Sequence, residues 1–205
     1  MRRIWYNVAV TRLHSFLLAS FFAVVFSCIA AEESAYEFDR WYMGAGGGML
    51  LPGNGNALKR AAAVSVRGGY YLTETFALEA EGFVAPNVAS RGKCGDRGTI
   101  ALPGVAVGGL AHFTSFTFYD RLFGSERLDP FFTFGAQSYF ASRHVFADCS
   151  HRTAVGPYAG IGAFYHITDH LSFRADVRAA LCCDSPCGMM YNVQIGLQYS
   201  FGADE

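Results

Sequence analysis

Charge is what this chain has least of. Only 16% of its 205 residues are Asp, Glu, Lys or Arg, against about 25% in ordinary soluble domains, which is lean for a surface that must face water all round. Nor is there a basic excess. The formal net charge is -1, so a nucleic-acid partner, which requires a basic face, is not expected. Beyond residue 30 no run approaches the roughly 18 to 20 consecutive apolar residues of a membrane-spanning helix. If the exported chain sits in a membrane it must do so as a closed barrel, the one form besides the helix that satisfies every backbone group. A phosphate cradle is missing too: Gly44 to Gly48 has neither the lysine nor the following helix that such a loop needs.

What is present begins with an export signal. Arg2, Arg3 and Arg12 precede an apolar run from Ser15 to Ala30, and Glu32 and Glu33 follow it, which is the three-part form of a secretory signal. Cleavage is expected between Ala30 and Ala31, so residues 1–30 read as signal peptide and 31–40 as a short lead. The mature chain of 175 residues is long enough for one domain and leaves no room for a second of ordinary size.

From Trp41 onward the period is two. Eight segments alternate: 41–51, 61–72, 76–84, 104–113 with a possible extension toward Phe118, 130–140, 154–167, 171–181 and 190–201. About ten residues per segment is what a tilted strand needs to cross a bilayer. The connections alternate in length as well. Residues 72–75 and 167–170 are tight turns, whereas 52–60, 85–99, 141–153 and 182–188 are longer, so with the amino terminus inside, short turns face the periplasm and long loops face outward. Residues 114–129 break the rule as a long inner connection.

Where the charges lie separates two kinds of barrel. Arg174, Asp176 and Arg178 alternate with Phe173, Ala175, Val177 and Ala179, while Glu79, Glu81 and Arg67 stand likewise among apolar residues. A soluble lipocalin-like barrel would turn these six outward and keep an apolar cavity. The corresponding face of 190–201 offers only Asn192, Gln194, Gln198 and Ser200 as polar groups, which suits a narrow hydrogen-bonded interior better than a water-facing surface. Three positive and three negative charges are therefore expected to neutralise one another inside, with apolar groups toward lipid. The expected fold is all-β: an eight-stranded antiparallel up-and-down transmembrane β-barrel over residues 41–201, with 202–205 as a tail.

The last segment carries the sharpest pattern, Gln194-Ile-Gly196-Leu-Gln-Tyr199-Ser-Phe201. Together with Trp41-Tyr-Met-Gly-Ala-Gly-Gly-Gly48 and the hairpin Leu72-Thr-Glu-Thr-Phe-Ala-Leu-Glu-Ala-Glu81, it resembles the small OmpA/OmpX-like outer-membrane barrels over nearly all of residues 41 to 201. The resemblance implies a location in a bacterial outer membrane and contact with its lipid and lipopolysaccharide. It also implies insertion by the outer-membrane assembly machinery, with Gln194, Gly196, Tyr199 and Phe201 as the terminal signal. Here Phe201 is followed by Gly-Ala-Asp-Glu, where many family members end at the aromatic.

Chemistry is sparse. Cys94, Cys149, Cys182, Cys183 and Cys187 all fall in the outer connections, where an oxidising setting favours disulfides that stiffen the loops. Five is odd, and a metal site with His144 and His151 is the alternative, although no recognised zinc spacing occurs. His170-Leu-Ser172 matches a lipid A deacylase-like pair, but it sits in an inner turn while such enzymes work on the outer leaflet. His112 and His166 read as rim or interior histidines. No cofactor is expected. The functional expectation is a non-enzymatic outer-membrane barrel serving envelope integrity or surface interaction with an outside partner; the alternatives are a lipid A modifying enzyme and a soluble lipocalin-like binder.

Overall fold

The computed structural model describes residues 40–53, 58–73, 75–89, 98–113, 127–142, 152–182 and 188–201. The expected signal with its cleavage site at Ala30 and Ala31, the tail 202–205 and the centre of the long inner connection lie outside them.

Eight strands follow one another: β1 (Arg40–Pro52), β2 (Ala61–Tyr71), β3 (Phe76–Ala89), β4 (Thr99–His112), β5 (Leu128–Phe140), β6 (Thr153–His166), β7 (Leu171–Cys182) and β8 (Gly188–Phe201). Each pairs antiparallel with its neighbour in sequence, and β8 returns to β1 to close the barrel. The closing seam runs from Trp41 opposite Phe201 to Pro52 opposite Met190, so no edge is left for a stray strand. At the turn end, Thr73 and Thr168 each hold a tight turn with the hydroxyl accepting from backbone N–H groups.

Two strands are longer than their alternation suggests. β3 runs five residues past Val84, and β4 begins five residues before Gly104. The pairing shifts between Ala85 and Val88, where Pro86 and Asn87 both face outward in succession. That bulge hides the continuing strand from any reading by period two. β5 likewise opens two residues early, which brings Asp129 out of the expected connection and into the sheet.

The side chains are distributed inside out relative to a soluble protein. Val66, Val107 and Ile161 are 64–65% exposed, while Arg174 and Arg178 are 2% exposed. Large apolar residues on the outside are the band that lipid covers. At the turn end that band is edged by aromatics, Trp41 against Tyr70 and Tyr199 against Phe201.

The interior is filled in three layers. Leu50, Leu58, Phe83, Val88, Ile100, Leu102, Tyr139 and Met190 close the loop end. Tyr42, Leu110, Phe131 and Phe164 close the turn end, and the charged side chains lie between. An eight-stranded barrel is only just wide enough for its own side chains, so each bulky group needs a gap opposite it. Inward glycines supply those gaps. A Cβ on Gly162 would meet the Phe131 ring and come within 2.6 Å of the Ala175 carbonyl oxygen, and one on Gly108 would meet the Tyr158 hydroxyl at 2.5 Å. Outward Gly82 has nothing within 4 Å of such a carbon.

These two glycines give a test of the packing. Gly162→Val should lose most of the compact species seen when the barrel is run on a gel without boiling, because overpacking of this kind costs about 1–3 kcal/mol or more. Gly82→Ala should leave that species at wild-type level.

Candidate functional site

The charged layer is the most specific chemistry among the described residues. β2 contributes Arg67, β3 Glu79 and Glu81, and β7 Arg174, Asp176 and Arg178. All six are between 2% and 6% exposed. Strict alternation in β7 places its three charges on the inward face, and the register sets Arg67 directly opposite Glu81.

Glu79 is the hub. It accepts from the Tyr42 hydroxyl at 2.9 Å, from Nη1 and Nη2 of Arg174, and from Arg178 Nη2 at 3.1 Å. Asp176 Oδ2 accepts from Arg67 Nη1 at 3.0 Å and from Arg174 Nε at 2.9 Å. Its other oxygen lies 2.9 Å from Arg178 Nε, in ion-pair contact but out of line for a hydrogen bond. Glu81 accepts from Arg178 Nη1 and from Gln194 Nε2 at 2.7 Å, with Arg67 Nη2 at 4.0 Å. Gln194 turns its carbonyl oxygen to Arg67 Nη2 and to the Ser65 hydroxyl. Aromatic faces cover what the carboxylates leave: the Arg174 guanidinium lies 4.6 Å from the Phe131 centroid, and that of Arg178 lies 5.4 Å from Tyr158. Burying charges is tolerable only when each is paired and hydrogen-bonded, and this layer meets the condition with zero net charge.

The layer also recruits residues that single-strand reading does not group with it. Tyr42 of β1 and Gln194 of β8 reach the ions only through the barrel register, while Ser65 shares the inward face of β2 with Arg67, whose Nη2 donates to its hydroxyl at 3.4 Å. Gln194 therefore has a structural bond network besides its place in the terminal pattern. Gly196 faces Gly46, and a Cβ there would come within 2.9 Å of the Gly46 Cα. Tyr199 and Phe201 point outward, 4.9 Å apart in an edge-to-face contact.

At the turn end the structure gathers a second polar group. His112 on β4 and His166 on β6 flank Asp129 of β5, and His166 reaches Ser172 of β7. The two residues of the His170-Leu-Ser172 pair part company: His170 stacks on Tyr199, and Ser172 bonds to His166 instead. Cys94, Cys149, Cys183 and Cys187 lie outside the described residues, as do His144 and His151. Cys182 ends β7, opposite Gly188. Among the described residues, no three His, Cys, Asp or Glu side chains are placed to hold a metal ion.

Comparison with known proteins settles the class. The outer membrane protein beta-barrel domain matches residues 20–201. The chain belongs to that family, and it is a protein of the bacterial outer membrane. Among solved structures it is similar to the neisserial surface protein A, at 11% identity and a TM-score of 0.56, over 78% of this chain and 97% of that one. It is also similar to OprG from Pseudomonas aeruginosa, at 11% identity and a TM-score of 0.57, over 82% and 99%. Ail of Yersinia pestis gives 11% identity and a TM-score of 0.52, over 80% and 99%. No curated protein matches the sequence. In this family short turns face the periplasm and longer loops face outward, which sets the turn end of the barrel inside.

Because Glu79 serves two arginines and Glu81 mainly one, their substitutions should differ. Glu79→Gln is expected to destabilise the barrel by about 3–5 kcal/mol, the usual cost of orphaning a buried charge, and Glu81→Gln by less. Urea unfolding from phospholipid vesicles would give both values.

Proposed function

We propose that this protein works at the cell surface, as a closed scaffold that presents its outer loops to a polyanionic partner. The observation that carries the reading is the filled interior. Apolar layers at both ends and a neutral ionic layer between them occupy the space through which a solute would pass. What can vary and bind is then the outer rim.

The charge of that rim supports the choice of partner. The connections between β1 and β2, β3 and β4, β5 and β6, and β7 and β8 hold seven Lys or Arg residues against three Asp or Glu. Lys59, Arg60 and Arg152 are exposed at the barrel's outer end. In a chain whose formal net charge is negative, such a partition concentrates positive potential where anions would arrive. Phosphate groups of lipopolysaccharide and sulfate groups of a polysaccharide share the chemistry that this rim would hold, the first serving envelope integrity and the second attachment to an outside surface. Ail has been solved with the heparin analogue sucrose octasulfate, an anion of this kind on a barrel of the same fold. Disulfides among Cys94, Cys149, Cys182, Cys183 and Cys187 would fix the loops that carry the charge.

Chromatography of the purified protein on immobilised heparin tests the reading, with lipopolysaccharide as competitor in a second arm. Retention is expected at low ionic strength and loss at high salt, since exposed charges act over only about 10 Å at 0.1 M. The combined variant Lys59→Gln, Arg60→Gln and Arg152→Gln should elute earlier. A protein that runs straight through at low salt, and that lipopolysaccharide does not bind, would refute the proposal.

A further inference from the structure

The lipid-facing wall is not uniform around the barrel. Where β8, β1 and β2 meet, the outward positions Ala45 and Gly47 of β1 are small and stand between large neighbours. Register sets Gly47 between Val64 of β2 and Ile195 of β8, and Ala45 between Val66 and Leu197. Those four flanking side chains are 53–65% exposed, so they form the walls of a groove. Outward Ala62 continues it toward the loop end, and outward Gly68, opposite Met43 and Ala80, continues it toward the turn end. The floor is open backbone. A Cβ on Gly47 would meet nothing nearer than the Ala63 carbonyl oxygen at 3.7 Å, and one on Gly68 nothing nearer than that of Tyr42 at 3.6 Å. Outward Gly109 of β4 shows the contrast, because the rings of Phe76 and Phe134 lie 2.7 and 3.3 Å from where its Cβ would be.

The loop end of this groove carries positive charge. Lys59 and Arg60 lead into β2 directly before Ala61 and Ala62, and both are exposed. Among the described residues neither is paired with a carboxylate. Depth matters as well. The stretch of β2 from Ala62 to Gly68 covers about 20 Å at the rise of a strand. On a strand tilted by about 45° this descends roughly 14 Å, close to half of a hydrocarbon core about 30 Å thick. The groove therefore has the reach of one outer-leaflet acyl chain, with cations where that lipid's head would lie.

We infer that this groove, with Lys59 and Arg60 at its outer end, is a docking site for one lipopolysaccharide molecule. The inference rests on the reading of the outer rim as an anion-binding surface, and it adds where the lipid portion is held. A phosphate of the head lies against Lys59 and Arg60. One acyl chain follows the floor from Ala62 past Gly47 and Ala45 to Gly68. Small residues let a partner approach the backbone closely within a membrane, and a chain lying there gathers many weak contacts along its length. The cations supply the selection. A zwitterionic phospholipid would fill the groove equally well but offers no net negative charge to the two side chains, and a sulfated polysaccharide has no chain to lay in it.

Native mass spectrometry of the purified barrel in detergent, offered equal amounts of lipid A, phosphatidylglycerol and phosphatidylethanolamine, tests the inference. Wild type should retain lipid A in preference to both phospholipids. Gly47→Leu combined with Gly68→Leu fills the floor from the lipid side and should hold about tenfold less lipid A, the scale of some ten lost close contacts, with unchanged retention on immobilised heparin. Lys59→Gln combined with Arg60→Gln should lose the preference for lipid A over phosphatidylethanolamine. Ala136→Leu, outward on β5 away from the groove, should bind as wild type does, and every variant should give the compact species on unheated gels. Equal retention of the three lipids by wild type would overturn the inference. So would a groove-filled variant that holds lipid A as well as wild type, or a Lys59 and Arg60 variant that keeps the full preference. Heparin retention in the same preparations separates the two claims: if it persists, only the groove assignment falls.

Discussion

Everything in this barrel depends on one constraint: charges that cannot face lipid must cancel one another in a space with no water to spare. An arginine on the lipid side would cost about 2–4 kcal/mol near the bilayer midplane. Arg67, Arg174 and Arg178 are therefore turned inward, where Glu79, Glu81 and Asp176 await them. Once there, each must be matched closely, because a buried ion without its partner is worse than no ion at all. The matching is what fixes register. A slip of one residue in β3 or β7 would send its charges to the lipid and its apolar residues to the core.

Packing follows from the same constraint. Guanidinium groups and aromatic rings need width that a uniform row of side chains cannot give, so glycine stands opposite them. Gly160 faces Arg178, Gly44 faces Arg67, and Gly162 faces Phe131. The apolar layers above and below the ions keep the middle dry, which strengthens the ion pairs and makes any loss of one more costly. Leu58 extends the upper layer from the connection between β1 and β2, and the next residue, Lys59, donates its backbone N–H to the Ala89 carbonyl of β3 at 2.8 Å.

The sequence displays the strands and the charged core for a simple reason. Both are period-two features, and alternation in a strand is a direct record of which side faces what. β7 and β8 are the clearest cases. What escapes such a reading breaks the period or depends on register. Pro86 and Asn87 interrupt the alternation of β3 and disguise its outer third as loop. Pro130 resembles a strand opening, which leaves Asp129 assigned to the connection before it. The meeting of His112, Asp129 and His166 requires three strand ends to be aligned, and no local pattern announces that. Gln194 was legible as part of a terminal signal, whereas its bonds to Glu81 of β3 and Arg67 of β2 appear only once the ring closes and these strands share one interior.

The proposed surface role follows from the filled core. The side chains that would line a channel are spent on holding the wall together, so variation is left to the loops. Planar-bilayer recording of the purified wild-type protein addresses that claim most directly. The filled interior predicts a quiet membrane, with no steady unitary current after insertion. Stable, porin-sized conductance would contradict it, because the six charges would then line a water-filled passage and could not be the core of the barrel.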